Sequence, residues 1–185
     1  MWNLQEMAYV ETLFGHQLDV LSIHALSRDR VLTGSSDLTV RLYKIPEETH
    51  FVFRGHTACI DAVSMLANDR FLSGGQDGSL CVWDTLKKKP IFTHPRAHGG
   101  KWITAVGGMR QSDLCASGSS DGQIRLWRFD RNERKIDEVT SVQAPGFVNG
   151  VQLSVRGRLL VAGMGQEHRM GRWERIKAGR NGVLV

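Results

Sequence analysis

The stretch GHTACIDAVSMLANDRFLSGGQDGSLCVWD, residues 55–84, contains the pattern that decides the fold. It opens with Gly-His, passes through short apolar runs and closes on Trp83-Asp84. The same pattern of residues recurs 40 residues earlier with no insertion. It recurs again after the stretch, where the matching positions are shifted by a further two to four residues. A fixed period near 40 residues indicates a repeat architecture. The coinciding positions are Gly15, His16, Leu26, Asp29, Arg30, Leu32, Gly34, Asp37 and Tyr43 before the stretch, and His98, Ser117, Gly118, Asp121, Gly122 and Trp127 after it.

Short apolar and β-branched runs fill each repeat, and Gly, Asp, Asn and Ser separate them. These strand and turn signals predict an all-β fold, and no segment shows a sustained helical period. We expect one domain over residues 1–185. Its predicted repeats lie at about 8–44, 49–84, 90–128 and 136–174, followed by a final outer strand at about 181–185.

Within the first repeat, we expect an outer strand at 8–14 and a further strand at about 19–26. The fourth repeat is degenerate, with strands expected near 136–142, 147–154, 158–163 and 169–174. Trp2 precedes His16 by 14 residues, close to the spacing between a closing aromatic residue and the next Gly-His. The chain is therefore expected to begin inside one module and, at its last strand, to end inside another.

Positive charge is concentrated in the last third of the chain. Residues 1–130 carry 14 basic and 14 acidic residues, whereas residues 131–185 carry 10 basic and 5 acidic residues. This asymmetry points to a polyanionic partner, with nucleic acid first, or to a solvated basic face. No apolar run is long enough to cross a bilayer, so we expect no membrane partner. The three cysteines show no paired spacing and are interpreted as reduced thiols.

A histidine, a hydroxyl residue, an aspartate and an aromatic residue recur together in three repeats. Ser, His and Asp would suit a hydrolase, but three copies at a fixed period favour a scaffold. In that role Asp accepts hydrogen bonds from His and from turn amides, and the indole donates to the hydroxyl. We therefore predict no catalysis, no cofactor, no metal and no small-molecule substrate. The three sets are His16, Thr33, Asp37 and Tyr43; His56, Ser73, Asp77 and Trp83; and His98, Ser117, Asp121 and Trp127.

This order, Gly-His, then Asp 21 to 23 residues later and an aromatic residue six further on, resembles the WD-repeat family over nearly all of residues 8–174. The resemblance implies a partial β-propeller, about four blades of a seven-bladed ring, with four antiparallel strands in each blade. The fourth repeat departs from the pattern, with Gly146 in the His position and Glu167 in the Asp position. Its register is expected to depend on Trp173 and apolar packing.

Three segments resemble a narrower family, the U3 small nucleolar RNA-interacting WD-repeat proteins. They are AYVETLFGHQ at 8–17, KIPEE at 44–48 and GQEHRMGRW at 165–173. The resemblance spans the chain and implies the C-terminal half of a propeller protein that follows a charged N-terminal region. It also implies a nucleolar, hence nuclear, subunit that binds the U3 small nucleolar RNA. Its other partners would be proteins of that ribonucleoprotein and of the small-subunit processome, and its work would be pre-rRNA processing in small ribosomal subunit biogenesis.

Basic residues gather at GQEHRMGRWERIKAGR, residues 165–180, where the repeat pattern fails. Guanidinium groups bind phosphates and stack on unpaired bases, and Gln166, Glu167 and His168 could read base edges. We expect the 164–170 loop on one face of the blade, and the tips at 156–158 and 175–180 on the opposite face. The candidate RNA-binding residues are Gln166, Glu167, His168, Arg169, Arg172, Arg175, Lys177, Arg156 and Arg158. The alternative is a protein-docking scaffold whose association with RNA is indirect.

Overall fold

The computed structural model describes residues 1–25 and 29–185, and strands and turns make up its secondary structure. The all-β prediction is confirmed for these residues. Within them, no helix is long and apolar enough to span a membrane. Leu26, at the end of the strand predicted at about 19–26, lies outside the described residues.

A two-stranded hairpin comes first in the chain, formed by β1 (Trp2–Asn3) and β2 (Ala8–Tyr9). Only two residues of the predicted strand 8–14 are therefore paired. Trp2 lies opposite Tyr9, the same seven-residue separation at which Tyr43 lies opposite His50 in the following sheet. The hairpin thus has the register of a third and fourth blade strand, in agreement with the expected role of Trp2.

Three four-stranded antiparallel sheets follow, and in each of them consecutive strands pair. They form because apolar and β-branched runs are interrupted by turn residues at regular intervals. The first sheet contains β3 (Val20–Ala25), β4 (Arg30–Ser35), β5 (Thr39–Lys44) and β6 (Thr49–Arg54). The second contains β7 (Ile60–Ala67), β8 (Arg70–Gly75), β9 (Leu80–Asp84) and β10 (Phe92–His94). The third contains β11 (Ile103–Gly108), β12 (Leu114–Ser119), β13 (Gln123–Asp130) and β14 (Lys135–Gln143).

The sheets are offset from the sequence repeats. The strand that precedes each Gly-His pairs with the sheet before it, as β6 does with β5 and β10 does with β9. Each repeat is therefore hydrogen-bonded to the previous one through its first strand, in addition to packing against it.

The hydrophobic core lies between consecutive sheets. Trp83, Phe53 and Phe71 belong to the cluster between the first and second sheets, and Trp127 belongs to the one between the second and third. A glycine in the second strand of each sheet allows this close packing. A Cβ on Gly74, for example, would collide with Ile103 of the next sheet. The inner strands β3, β7 and β11 lie next to one another in chain order.

The fourth sheet differs from its prediction. It consists of β15 (Phe147–Leu153), β16 (Leu160–Gly165) and, after an insertion, β19 (Gly182–Leu184). The inserted hairpin, residues 166–181, contains β17 (Glu167–His168) and β18 (Gly171–Arg175), which pair with each other. The expected third strand at 169–174 is thus wrong, and the strand expected at the end of the chain as an outer strand takes that place.

The composition of the two segments explains this correction. Residues 169–174 contain the charged residues Arg169, Arg172 and Glu174, whereas Val183 and Leu184 are apolar and suit a β-strand. In the resulting strand Val183 is exposed and Leu184 is partly buried. Leu184 pairs with Ala162, which places Ala162 at the position of the tetrad hydroxyl and Arg180 at that of the turn aspartate. Glu167 and Trp173 therefore lie outside the repeat positions assigned to them from the sequence.

Candidate nucleic-acid interface

The second sheet contains a complete buried polar tetrad. Nδ1 of His56 lies 2.9 Å from the Asp77 carboxylate, and Nε2 lies 2.7 Å from Oγ of Ser73. The Trp83 indole N–H donates to the same hydroxyl oxygen at 2.7 Å. Asp77 also accepts the backbone N–H of Thr57 at 3.0 Å. These contacts join the turn after β8 to both neighbouring strands.

The third sheet repeats this arrangement. His98 lies 2.9 Å from Asp121 and 2.7 Å from Ser117, and the Trp127 indole N–H donates to Ser117 at 2.7 Å. The similar distances in two sheets show that the geometry belongs to the repeat.

The first sheet contains a partial version of the tetrad. His16 lies 2.8 Å from Asp37 and 2.7 Å from Thr33. The Tyr43 hydroxyl, however, donates to the backbone carbonyl of Phe14 at 3.5 Å. The Tyr43 hydroxyl therefore bonds to the residue just before Gly15-His16, and Thr33 receives no hydrogen bond from Tyr43.

The tetrad cannot act as a hydrolytic triad. Burial alone would lower the pKa of His56, but the hydrogen bond to Asp77 outweighs it and raises the pKa to about 9. The imidazole is thus protonated near neutral pH and cannot accept a proton from the serine. Ser73 is also completely buried, so no substrate reaches its hydroxyl. These residues hold the turn in place.

The inserted hairpin is held together by polar contacts of its own. The Gln166 side-chain oxygen accepts from the Arg175 guanidinium at 2.7 Å and 3.1 Å, and Glu167 forms an ion pair with Arg172 at 3.0 Å. Asn149 of β15 attaches the hairpin to the sheet, because its amide donates to the Glu167 carbonyl and accepts the Arg169 N–H, both at 2.9 Å. Gln166 and Glu167, predicted to read bases, therefore position arginines.

All five basic residues of the hairpin are exposed: Arg169, Arg172, Arg175, Lys177 and Arg180. The prediction that residues 175–180 lie on the face opposite the 164–170 loop is wrong, because both belong to the single connection between β16 and β19. Residues 156–158 do lie at the other end of the sheet, in the turn between β15 and β16. Six residues of strand separate Arg156 and Arg158 from the hairpin, about 20 Å.

His168 does not present its ring to a ligand. The residue is 4% exposed, and its ring lies 4.2 Å, centroid to centroid, from that of Trp102. Burial and the neighbouring Arg169 lower the pKa of His168 to about 4, so the imidazole is neutral at physiological pH. Its role in the hairpin is to pack against aromatic rings.

Arg169 reaches the backbone of four sheets. Each inner strand, β3, β7, β11 and β15, contains a β-bulge near its start, and the extra residues are Leu21, Asp61, Thr104 and Asn149. A bulge residue loses its place in the strand ladder, so its carbonyl requires another partner. The Arg169 guanidinium donates to all four of these carbonyls, at 3.0 Å for Thr104 and 3.1 Å for Asn149. The guanidinium of Arg169 is thus engaged in hydrogen bonds within the protein.

Two residues of the candidate site were not identified by the sequence analysis, Trp102 and Asp61. The Trp102 indole N–H donates to the Asp61 carboxylate, whose burial raises its pKa. Trp102 is the one of the five tryptophans to which the repeat pattern gives no closing position. That exclusion was the signal available in the sequence.

A polar cavity of about 400 Å³ lies beside the hairpin. Its lining offers amide, carboxylate and guanidinium groups, which suit a hydrogen-bonding ligand with negative charge. Within residues 1–25 and 29–185, no cluster of three His, Cys, Asp or Glu side chains is arranged to hold a metal ion. The lining residues are Asn149, Gly165, Gln166, Glu167, Arg172, Arg175 and Asn181.

Comparison with protein families confirms the resemblance found in the sequence. The model of the WD domain, G-beta repeat, matches residues 7–44, 47–84 and 88–128. The inserted hairpin lies outside these three matches, as its departure from the repeat pattern would lead one to expect.

Relatives and a solved structure agree with this assignment. A U3 snoRNP-associated protein-like sequence of Arabidopsis thaliana is 38% identical over all of this chain and 42% of its own length. U3 small nucleolar RNA-interacting protein 2 of Homo sapiens is 42% identical over 75% of this chain and 31% of its own length. The structure titled "Structure of U3-55K" superposes with a TM-score of 0.95 at 42% identity, covering 98% of this chain and 59% of that one. The chain thus spans less than half the length of these curated relatives.

Proposed function

The chain belongs to the WD40 family of G-beta repeat proteins, and from that premise we propose that it is a non-catalytic RNA-binding part of a U3 small nucleolar ribonucleoprotein. The names of its relatives support this assignment, since they are described as U3 snoRNP-associated or U3 small nucleolar RNA-interacting proteins. Its work would be pre-rRNA processing in the nucleolus, alongside other proteins of that particle. The RNA-binding element would be the inserted hairpin.

The hairpin carries the proposal because it combines charge with exposure. Residues 166–181 contain five basic and two acidic residues, and all five basic residues are exposed. The second sheet also has an exposed basic run, Lys87 to Lys89, but the net positive charge of the chain lies after residue 130, since residues 1–130 are balanced. A cationic segment that projects from a rigid sheet is suited to the phosphate backbone of RNA.

The hairpin's internal contacts would orient the cations. Gln166 and Glu167 hold Arg175 and Arg172 in extended positions through the bonds described above. A guanidinium that is already oriented loses less conformational entropy when it binds a phosphate in a bidentate manner. Arg169, bonded to four carbonyls, would fix the hairpin as a whole and would not contact RNA.

The test measures binding of the purified chain to U3 small nucleolar RNA, with an unrelated small nucleolar RNA of similar length as the comparison. The variant Arg172→Glu/Arg175→Glu should weaken U3 binding at least tenfold and flatten its salt dependence, since each lost phosphate contact changes the slope by about 0.7 to 0.9. The matched control is Arg156→Glu/Arg158→Glu, the same change of charge at the other end of the sheet. It should alter binding by less than about threefold.

Two results would contradict the proposal. Equal losses in both double variants would show that only net charge matters. Unchanged affinity and salt slope in both would leave the protein-docking scaffold as the function, particularly if U3 RNA is then retained only when other particle proteins are present.

A further inference from the structure

Trp173 is strongly exposed, as is Trp2 in the first hairpin, at 67%. Trp173 is 68% exposed, whereas Trp83 and Trp127, which close the second and third sheets, are buried. An exposed indole beside charged residues is the kind of surface that binds another molecule. The displacement of residues 166–181 from the sheet explains how Trp173 becomes exposed, but the blade gains nothing from the exposure.

The indole is part of a group of nearly parallel rings. Trp173 lies 6.1 Å from Trp102 at an interplanar angle of 25°, and 5.8 Å from His168 at 24°. Trp102 and His168 are themselves 4.2 Å apart. The inner two rings are largely enclosed, so the group presents one exposed aromatic surface, that of Trp173.

The position of this surface is fixed from two sides. A Cβ on Gly171 would lie 3.0 Å from the Trp173 ring, so the glycine allows the backbone to pack directly against the indole. The bonds of Arg169 to the bulge carbonyls hold the start of the same hairpin. A ring held in place loses little entropy when another ring stacks on it.

Two arginines flank Trp173 in the sequence of strand β18. Arg172 precedes Trp173, and its side chain is 87% exposed while paired with Glu167. Arg175 follows two residues later, on the same strand β18. Proteins that bind single-stranded nucleic acid combine these features, because every nucleotide offers one π face and one phosphate.

We propose that Trp173 is a stacking platform for an unpaired RNA base, and that Arg172 holds the phosphate next to that base. The ligand class is single-stranded RNA, either a loop or a strand end. The inference rests on the proposed function and extends it from phosphate binding to base recognition. An acidic peptide could also bind to an aromatic ring and an arginine. The hairpin, however, has more basic than acidic residues, which suits RNA because RNA carries a negative charge at every nucleotide.

The test uses the full chain with a fluorescein-labelled single-stranded RNA of about 12 nucleotides, within the site size of small single-strand binders, and an RNA duplex of the same length. Trp173→Ala should weaken binding of the single strand roughly tenfold without changing the salt slope, since stacking does not release counterions. Trp173→Phe should recover most of that loss. Arg172→Gln should lower the salt slope instead, and duplex binding should respond to Arg172→Gln but not to Trp173→Ala.

Ultraviolet crosslinking of the unmodified chain to a 4-thiouridine-containing strand supplies a readout that does not depend on variant folding. A crosslink at Trp173 supports the proposal. If Trp173→Ala binds the single strand as tightly as the unmodified chain, base stacking is excluded, while loss of binding in the double charge reversal would still support an RNA-binding hairpin. If Trp173→Ala leaves RNA binding intact but abolishes capture of an acidic peptide, the surface is a protein-docking site and the proposal fails.

Discussion

The second and fourth sheets begin alike, with a bulged inner strand and a second strand that contains a glycine, and they diverge after that second strand. In the second sheet a four-residue turn, 76–79, leads directly to β9 and is held by His56, Ser73 and Asp77. In the fourth, Ala162 occupies the hydroxyl position, and 16 residues separate β16 from β19. The second sheet, which has the buried polar set, thus has a short turn. The fourth sheet, which lacks that set, has a long connection whose side chains are available to bind a ligand.

The two tryptophans after these second strands provide the strongest contrast. Trp83→Ala should lower the free energy of unfolding by about 4 kcal/mol, because it empties a fully buried site between two sheets. Trp173→Ala should lower it by less than about 1 kcal/mol, because its ring is mostly solvated. Urea titration of both variants checks this pair, and similar losses would remove the distinction between core and ligand-facing tryptophans.

Arg169 is the part of the fourth connection that we expect to behave like the core. Arg169→Gln removes charge-assisted bonds to four bulge carbonyls and should cost about 2 to 3 kcal/mol. Arg172→Gln, three residues away and exposed, should cost less than about 1 kcal/mol. Hydrogen exchange of the amides in residues 166–181 should accelerate only in the first variant. A stability unchanged by Arg169→Gln would show that solvent satisfies those carbonyls equally well.

The buried ion pair of the second sheet should give stability a pH dependence that the fourth sheet does not share. The pKa of His56 rises from 6.5 to about 9, so its contribution is complete below pH 6.5 and is lost as the pH rises through about 9. Burial alone would raise the pKa of Asp77, but the hydrogen bond from His56 outweighs it and lowers that pKa from 3.8. The contribution of Asp77 is therefore lost as the pH falls below about 4.

Asp77→Asn should therefore reduce the free energy of unfolding by about 2 to 3 kcal/mol at pH 6, and the loss should shrink towards pH 9. The control is Glu167→Gln in the exposed hairpin ion pair, whose effect should be small at both values. Urea titrations at pH 6 and pH 9 measure both. An effect of Asp77→Asn that grows between these two pH values would contradict a protonated His56 as its partner.

The smallest expected difference in stability is between alanine variants of two glycines that occupy the same position in their sheets. Gly74 pairs after the bulge of β7, and Gly163 pairs after the bulge of β15. A Cβ on Gly74 would collide with Ile103 of the next sheet, so Gly74→Ala should cost about 1 to 2 kcal/mol. A Cβ on Gly163 would meet no described atom within 4 Å, so Gly163→Ala should be neutral or slightly stabilising. Thermal denaturation of the two variants compares them, and equal shifts would contradict the packing argument.

The sequence was sufficient wherever a local pattern repeats. The positions of His56, Ser73 and Asp77 could be predicted because strand length, turn length and side-chain alternation all obey one period. The same reasoning failed in the fourth sheet, because Trp173-Glu174 falls at a spacing that resembles a closing dipeptide. Only pairing with β16 distinguishes the two candidates for the third strand, and that pairing is a contact between segments separated by the inserted hairpin.

The roles of Arg169 and His168 could not be predicted in this way. The partners of Arg169 are backbone carbonyls at bulges, and a bulge leaves little trace in the sequence because it adds one residue without a preferred type. The sequence predicts that His168 reads a base edge, but burial and the neighbouring Arg169 lower its pKa to about 4 and keep it neutral. Both roles depend on tertiary neighbours that are 65 or more residues away along the chain.

Through the four bonds of Arg169, the hairpin is attached non-covalently to four inner strands that lie far apart in the sequence. Its guanidinium connects position 169 to position 21, so one side chain restrains the spacing of four sheets at their inner edges. A molecule that pulls the hairpin away must break the bonds of Arg169 to all four inner strands. Force or binding energy applied to residues 166–181 would therefore be felt at the opposite end of the described chain.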